Sequence, residues 1–492
     1  MVDGVLVQVA VTRLRGKGSI VRTRAHALYL VAVVVIAVLA PLPAGAQPVP
    51  APDLVLESDL TVEVTPVATM PFVVPPGSAQ NLGSPVPIKN KLYLIDQNDA
   101  IYRVNGFTNV QQIFNVSEAP DGLTLDNRQS ILNISPGSRV NSIYVMFTSG
   151  TEPTAQIPIY RMPAPLPGVC CDPVAPILVN DLYRIGPIPG PFSFLGATRT
   201  EFQVLYEYKL AGDSLLEPRA IAAFETQSGP THNGGGIVTL PDGRVLFAAG
   251  DALPFGADGR AAPQDPNEHV SKILIIDPDD GSIEVAAQGI RNVQHLEFVE
   301  GAGISEPTLS FADIGGVTAE EINYVSVAEL VDTSVIENFG WGRNADGFAR
   351  EGTFYIQPGL PVALGEPPVD ALAPSPEPGF IQPQSQYGRN DPNGGVAVSG
   401  PVTSDVSLDE ITALFSDLSS GIIYASTAST TATNAPVFKV NLIAEDGTPL
   451  DSLQDLAGGR ADPRFFRYPD GSAGVLLEAT GTFYRLAELD SG

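Results

Sequence analysis

The chain has 492 residues, with 27 lysine and arginine side chains against 55 aspartate and glutamate, a formal net charge of -28. That balance argues against nucleic acid and anionic membrane surfaces as partners, since both are bound through basic patches. Its two cysteines, Cys170 and Cys171, are adjacent. No long-range disulfide framework can form, and ordinary packing must hold the fold.

The N-terminal stretch carries Arg13, Arg15, Lys17, Arg22 and Arg24, then an unbroken apolar run over residues 27–40, then Ala44-Gly45-Ala46. A basic start, a short apolar core and a small-x-small site predict a secretory signal over 1–46, cleaved near Ala46. The run is shorter than the roughly 20 residues that span a bilayer. No later segment is long and apolar enough, so the expected mature protein is secreted or periplasmic, with no membrane span. An uncleaved anchor is the alternative.

Residues 47–80 read as an extended lead-in, and 81–489 as one domain. Within it helical periodicity is scarce, and short apolar runs closed by turn residues recur. "KLYLIDQNDAIYRV" (91–104) predicts two strands. "NSIYVMFTSG" and "EFQVLYEYKLAG" predict single strands rich in aromatic and β-branched residues. "GGIVTLPDGRVLFAAG" and "SKILIIDPDDGSIEVAA" predict hairpins, each turned at an Asp-Gly pair. "VFKVNLIAEDGTPL", "FFRYPDGSAGVLLEA" and "GTFYRLAE" continue the pattern to the end. Two proline-rich stretches, about 151–200 and 357–392, predict loop insertions, because proline removes ladder donors.

Many short strands with regular turns predict an all-β fold: a sandwich, a barrel or a propeller. The length of uniform texture, and the matching forms of the first and last strand pairs, select a six-bladed β-propeller with Pro-rich loop insertions. Six units of about 74 residues fit the mature length. A closed ring also removes exposed sheet edges.

The candidate chemistry begins at "THNGGGIVTLPDGRVLFAAGD" (231–251), which sets His232 before a run of glycines and closes on Asp251. The glycines would let a ligand approach bare backbone. A histidine there suits a general base near neutral pH, or else only caps a turn. "AAQGIRNVQHLEF" supplies Arg291 and Asn292. "SFADIGGVTAEEINYVSV" supplies Gly315, Gly316, Glu320 and Glu321, and "ENFGWGRNADG" supplies Trp341, the single tryptophan. Trp341 reads as blade packing, and His269 and His295 as surface or packed residues.

The ordered set His-x-Gly-Gly, Gly-apolar-Arg-Asn-x-Gln, acidic-x-Gly, Glu-Glu-Ile-Asn and Asn-aromatic-Gly-Trp resembles the soluble quinoprotein glucose/sorbosone dehydrogenase family. Those proteins are six-bladed propellers that bind pyrroloquinoline quinone with calcium. The matched core covers about 231–341. The resemblance implies that His232 takes the proton of a sugar hydroxyl while hydride passes to the quinone, with Asp251 orienting it. It implies that Arg291, Asn292 and Arg460 face the cofactor. Carbonyls of Gly315 and Gly316 would reach the calcium, and Glu321 would serve a structural calcium or cap a turn. The expected partners are a small-molecule sugar and an electron acceptor.

The chain departs from the family at several places. Ser419 and Ser420 stand where it has a Lys-Arg pair, Asp462 where it has a second arginine near the end, and Val293 where it has proline. A non-catalytic propeller of the same descent, binding a carbohydrate or protein partner, therefore stands beside the enzyme reading. A calcium-dependent hydrolase or lactonase is a third.

Overall fold

The structure, a computed structural model, describes residues 55–70, 82–161, 199–251, 262–356, 372–404 and 412–488, less short breaks within those spans. The leader 1–46, Cys170 and Cys171, and most of the first proline-rich insertion lie outside the described residues.

Strand formation follows the predicted runs. Lys91–Asp96 and Ala100–Asn105 pair antiparallel. The Pro241-Asp242-Gly243 turn joins Gly234–Thr239 to Val245–Ala249: Gly243 takes φ 95°, its amide donates to the Leu240 carbonyl at 2.9 Å, and the Arg244 amide donates to the Asp242 carboxylate at 3.0 Å. Gly281, at φ 77°, closes the next hairpin in the same way. Val245–Ala249 and Lys272–Ile276 are buried along their whole length. This is why they read as continuous apolar runs rather than alternating ones: both faces of the sheet are covered.

The strands form successive sheets. Val86–Ile88, Lys91–Asp96, Ala100–Asn105 and Asn109–Asn115 make the first. Ile131–Pro136, Ser142–Ser149, Arg199–Ala211 and Ser214–Ser228, with the short Ile159–Tyr160, make the second. Gly234–Thr239, Val245–Ala249, Lys272–Ile276 and Ile283–Gln288, with Glu337–Asn338, make the third. Leu296–Gly301, Ile304–Asp313, Ala319–Ser326 and Ser385–Gly388 make the fourth.

A 9-stranded sheet completes the chain. It runs from Val398–Ser404 through Thr412–Asp417, Ile423–Thr427 and Phe438–Ala444 to Leu56–Thr69, then Thr482–Glu488, Ala473–Leu477 and Pro463–Arg467, with the short Pro449–Leu450 paired to Phe438–Ala444 off that path. Leu56–Thr69, from the segment read as a lead-in, is its seam. It runs parallel to Phe438–Ala444 on one side and antiparallel to Thr482–Glu488 on the other. A separate four-stranded sheet lies within 342–374, inside the connection between the last two strands of the fourth sheet.

Apolar clusters fill the space between neighbours. Ile95, Ile101 and Phe114 meet Ile143, Phe147 and Tyr208 between the first and second sheets. Leu132 and Met146 meet Phe247 and Leu274 between the second and third. Phe466 and Phe483 of the last strands pack on Leu92 and Leu94 of the first sheet. The initial strands of successive sheets also touch in order, and Pro463–Arg467 touches Val86–Ile88. The arrangement is all-β and propeller-like, with its first and last segments joined in one sheet. Among the described residues no helix is long and apolar enough to cross a membrane.

One expectation needs revision. Ser385–Gly388 falls inside the stretch read as loop over 357–392, yet it is a wholly buried strand. Its sequence, SQYG, has one apolar side chain among polar ones, so no hydrophobic run announces it. Its place is set by antiparallel pairing with Ala319–Ser326.

Candidate functional site

The predicted residues His232, Asp251, Arg291, Asn292, Gly315 and Gly316 converge where strands of the third and fourth sheets begin or end. His232 precedes Gly234–Thr239, Asp251 follows Val245–Ala249, Arg291 and Asn292 lie between Ile283–Gln288 and Leu296–Gly301, and the two glycines follow Ile304–Asp313. Backbone bonds hold these loops together. The Asp251 amide donates to the Arg291 carbonyl at 2.8 Å, and the Gly234 amide donates to the Asn292 side-chain oxygen at 3.2 Å. Asn292 thus ties two sheets.

Asp313, buried at the end of its strand, accepts the amides of Arg291 and Asn292 at 2.8 and 2.7 Å. Burial, then the Glu321 carboxylate paired with it across the sheet, push its carboxyl well above the usual range. Glu321 itself is buried and accepts the Asn323 amide at 3.4 Å.

Two glycines near His232 are required by the chain's own packing. Gly234 sits at φ 73°, and a Cβ there would lie 2.1 Å from the Ala248 carbonyl oxygen. A Cβ on Gly250 would lie 2.0 Å from the His232 carbonyl oxygen. The chain's own backbones approach closely here, which makes glycine necessary without any ligand. His232 has φ 66°, a left-handed conformation that costs a non-glycine residue energy and is found disproportionately at functional sites.

Three side chains form a line. His232 Nδ1 lies 3.0 Å from Asp251 Oδ1, and His232 Nε2 lies 3.4 Å from Arg291 Nη2. The histidine side chain is 14% exposed and the aspartate 2%. A carboxylate only accepts, so Nδ1 is the donor in this pair, and Nε2 faces the Arg291 guanidinium. Arg291 Nη1 donates to the carbonyls of Ile314 and Gly315 at 2.8 and 2.6 Å, and its guanidinium lies 5.2 Å from the centre of the Trp341 ring. Trp341 therefore belongs to the site and is not only packing.

Residues that the sequence reading passed over complete the surroundings. Arg389, one residue beyond Ser385–Gly388, donates to the Gly316 carbonyl from Nη1 at 2.8 Å and to the Gly315 carbonyl from Nη2 at 2.6 Å. Its Nε donates to Glu320 at 2.7 Å. Arg464 Nη1 reaches Gln294 at 3.3 Å, and its Nη2 pairs with Glu478 at 2.9 Å.

Arg460, expected to face the cofactor, instead pairs with Asp462 at 2.8 Å and is 62% exposed. The two charges, two residues apart in the chain, meet locally. Ser419 and Ser420 donate their amides to Asp417 in a tight turn. His269 packs 5.3 Å from the Tyr160 ring, and burial pushes its imidazole down to about 4.

These groups can be tested against the expected cofactors. Arg291 Nε and Trp341 Nε1 are buried donors without an acceptor among the described residues. With His232 Nε2 beside them they fit a ligand rich in oxygen acceptors, such as a carboxylated quinone. Calcium does not fit the Gly315 and Gly316 carbonyls expected to bind it, because both accept guanidinium hydrogen bonds.

No known protein family and no curated protein matches the sequence. Solved structures do match. The PQQ-bound aldose sugar dehydrogenase of Streptomyces coelicolor superposes with a TM-score of 0.51 at 17% identity, over 87% of this chain and 98% of that one. An oxidoreductase of Thermus thermophilus, described as a glucose dehydrogenase, gives 0.52 at 13% identity, over 87% and 100%. The chain has the fold of these sugar dehydrogenases, the group that the motif order resembles.

Proposed function

We propose that this protein is an exported oxidoreductase on a six-bladed ring, oxidising an aldose-type hydroxyl with pyrroloquinoline quinone as acceptor. Support for six blades comes from dividing the 9-stranded sheet at its seam, which leaves one blade per initial strand. The observation that carries the chemistry is the line Asp251–His232–Arg291. Asp251 fixes the imidazole so that Nε2 can take the proton of the sugar hydroxyl. Arg291 would hold the ligand's acceptor oxygens, with Asn292 keeping the loop in place. The cofactor would supply a two-electron acceptor for the sugar's hydride.

The test is titration of the purified protein with the quinone, followed by sugar oxidation with a dye as terminal acceptor. His232→Ala should cut the rate by about 10²–10⁴-fold while quinone uptake persists. Arg291→Ala should weaken uptake. Absence of uptake by the wild-type protein would sink the enzyme reading. The second reading, a propeller that binds a carbohydrate or protein without redox chemistry, is favoured by one observation: Arg460 is turned to Asp462 and Arg464 to Glu478. It would then stand, with sugar binding as its measurement.

A further inference from the structure

We infer that the site carries its own cation: the guanidinium of Arg389 stands on the Gly315 and Gly316 carbonyls in place of a metal ion, and Glu320 locks it there. The inference concerns the same site but does not depend on the enzyme reading.

Three features carry it. First, the donors are aimed. Arg389 Nη1 and Nη2 each take one carbonyl of the pair, at 2.8 and 2.6 Å, and Arg291 Nη1 takes the Gly315 carbonyl as well, at 2.6 Å. Those oxygens already face positive charge. A divalent ion binding to them would have to displace two guanidiniums or sit against them.

Second, the guanidinium is fixed from behind. Glu320 is 0% exposed, and its Oε1 lies 2.7 Å from Arg389 Nε and 2.5 Å from Nη2. Its Oε2 accepts the amides of Gly315 and Val398 at 3.1 and 3.0 Å. Both carboxylate oxygens are thus engaged, and Glu320 offers a metal no open position. A planar guanidinium can reach Oε1 from two nitrogens while it also donates to both carbonyls, an arrangement that lysine cannot supply.

Third, the fold delivers these residues together. Glu320 pairs with Tyr387 and Ala319 with Gly388 across the sheet, so the chain leaving Gly388 places Arg389 beside the turn that carries Gly315 and Gly316. The charge needed at the carbonyls is covalently present and does not depend on ion supply.

The experiment is calcium titration of the full-length protein, stripped with a chelator, by calorimetry and by thermal melting against a sodium chloride control of equal ionic strength. The wild-type protein should show no calcium binding that depends on Glu320. Arg389→Ala frees the Gly316 carbonyl and Glu320 Oε1 and leaves the Gly315 carbonyl with Arg291 alone, and because the released oxygens suit calcium, its affinity should rise about tenfold or more above wild type. Low-millimolar guanidinium ion should compete with calcium in that variant. A wild-type protein that binds one equivalent of calcium and loses it on Glu320→Gln would overturn the inference. Should Arg389→Ala fail to fold, the wild-type and Glu320→Gln titrations still decide it. Failure of quinone uptake, a separate measurement, bears on the enzyme reading alone.

Discussion

Arg389–Glu320 and Arg460–Asp462 are both arginine–carboxylate pairs, and the fold treats them oppositely. Arg389 is 13% exposed and Glu320 is 0%, and the pair also binds two carbonyls and two amides. Arg460 is 62% exposed, Asp462 24%, and they are near neighbours in sequence. The first pair joins residues from distant parts of the chain and shapes the site, and the second joins residues two apart, with the arginine largely exposed. An arginine gains a role from what surrounds its charge, and neighbours along the chain are a poor guide to that.

Three measurements sharpen this contrast, in falling order of effect. Arg389→Met leaves Glu320 buried without its cation, and breaking such a pair costs about 3–5 kcal/mol. Chemical denaturation should show a loss of that size, largely relieved in the double variant with Glu320→Gln. A loss below that of an ordinary surface change would show that the pair is not buried as described.

The next effect is where the last strands meet the start of the first sheet: Glu478 accepts the Leu82 amide at 2.9 Å and pairs with Arg464. Burial raises its carboxyl from 4.5 to about 7, against the pull of Arg464. A carboxyl raised in the folded state contributes stability that is fully present below pH 4.5 and is lost as pH rises through about 7. The wild-type protein should lose up to about 2–3 kcal/mol across that window relative to Glu478→Gln. Parallel stability–pH curves for the two would remove the assignment.

The smallest effect belongs to the exposed pair. Arg460→Met should change stability by about 0–1 kcal/mol, less in high salt. A salt-independent loss of several kcal/mol would place Arg460 in a buried network that the folded geometry does not show.

The strand–turn rhythm was legible because its signals are local. "LPDGR" signals a hairpin from its own residues, since Gly243 can take φ 95° without strain. The runs "VLFAA" and "KILII" announce strands covered on both faces. The motif order likewise carried His232, Asp251 and Arg291, and the fold brings them into one line.

What the sequence by itself determined, then, is the all-β character, the hairpins and the residues of that line. Tertiary structure decided the rest. Ser385–Gly388 is a strand only because the exposed edge of Ala319–Ser326 pairs with it, and that pairing delivers Arg389 to carbonyls more than 70 residues earlier. Trp341 joins the site only because the Gly289 carbonyl accepts its amide and places its ring against Arg291. Arg460, singled out by the family resemblance, pairs with Asp462, the carboxylate two residues on, while its own side chain is largely exposed. Propensity and spacing act over a few residues, whereas the burial that gives a charge its partner is a property of the closed fold.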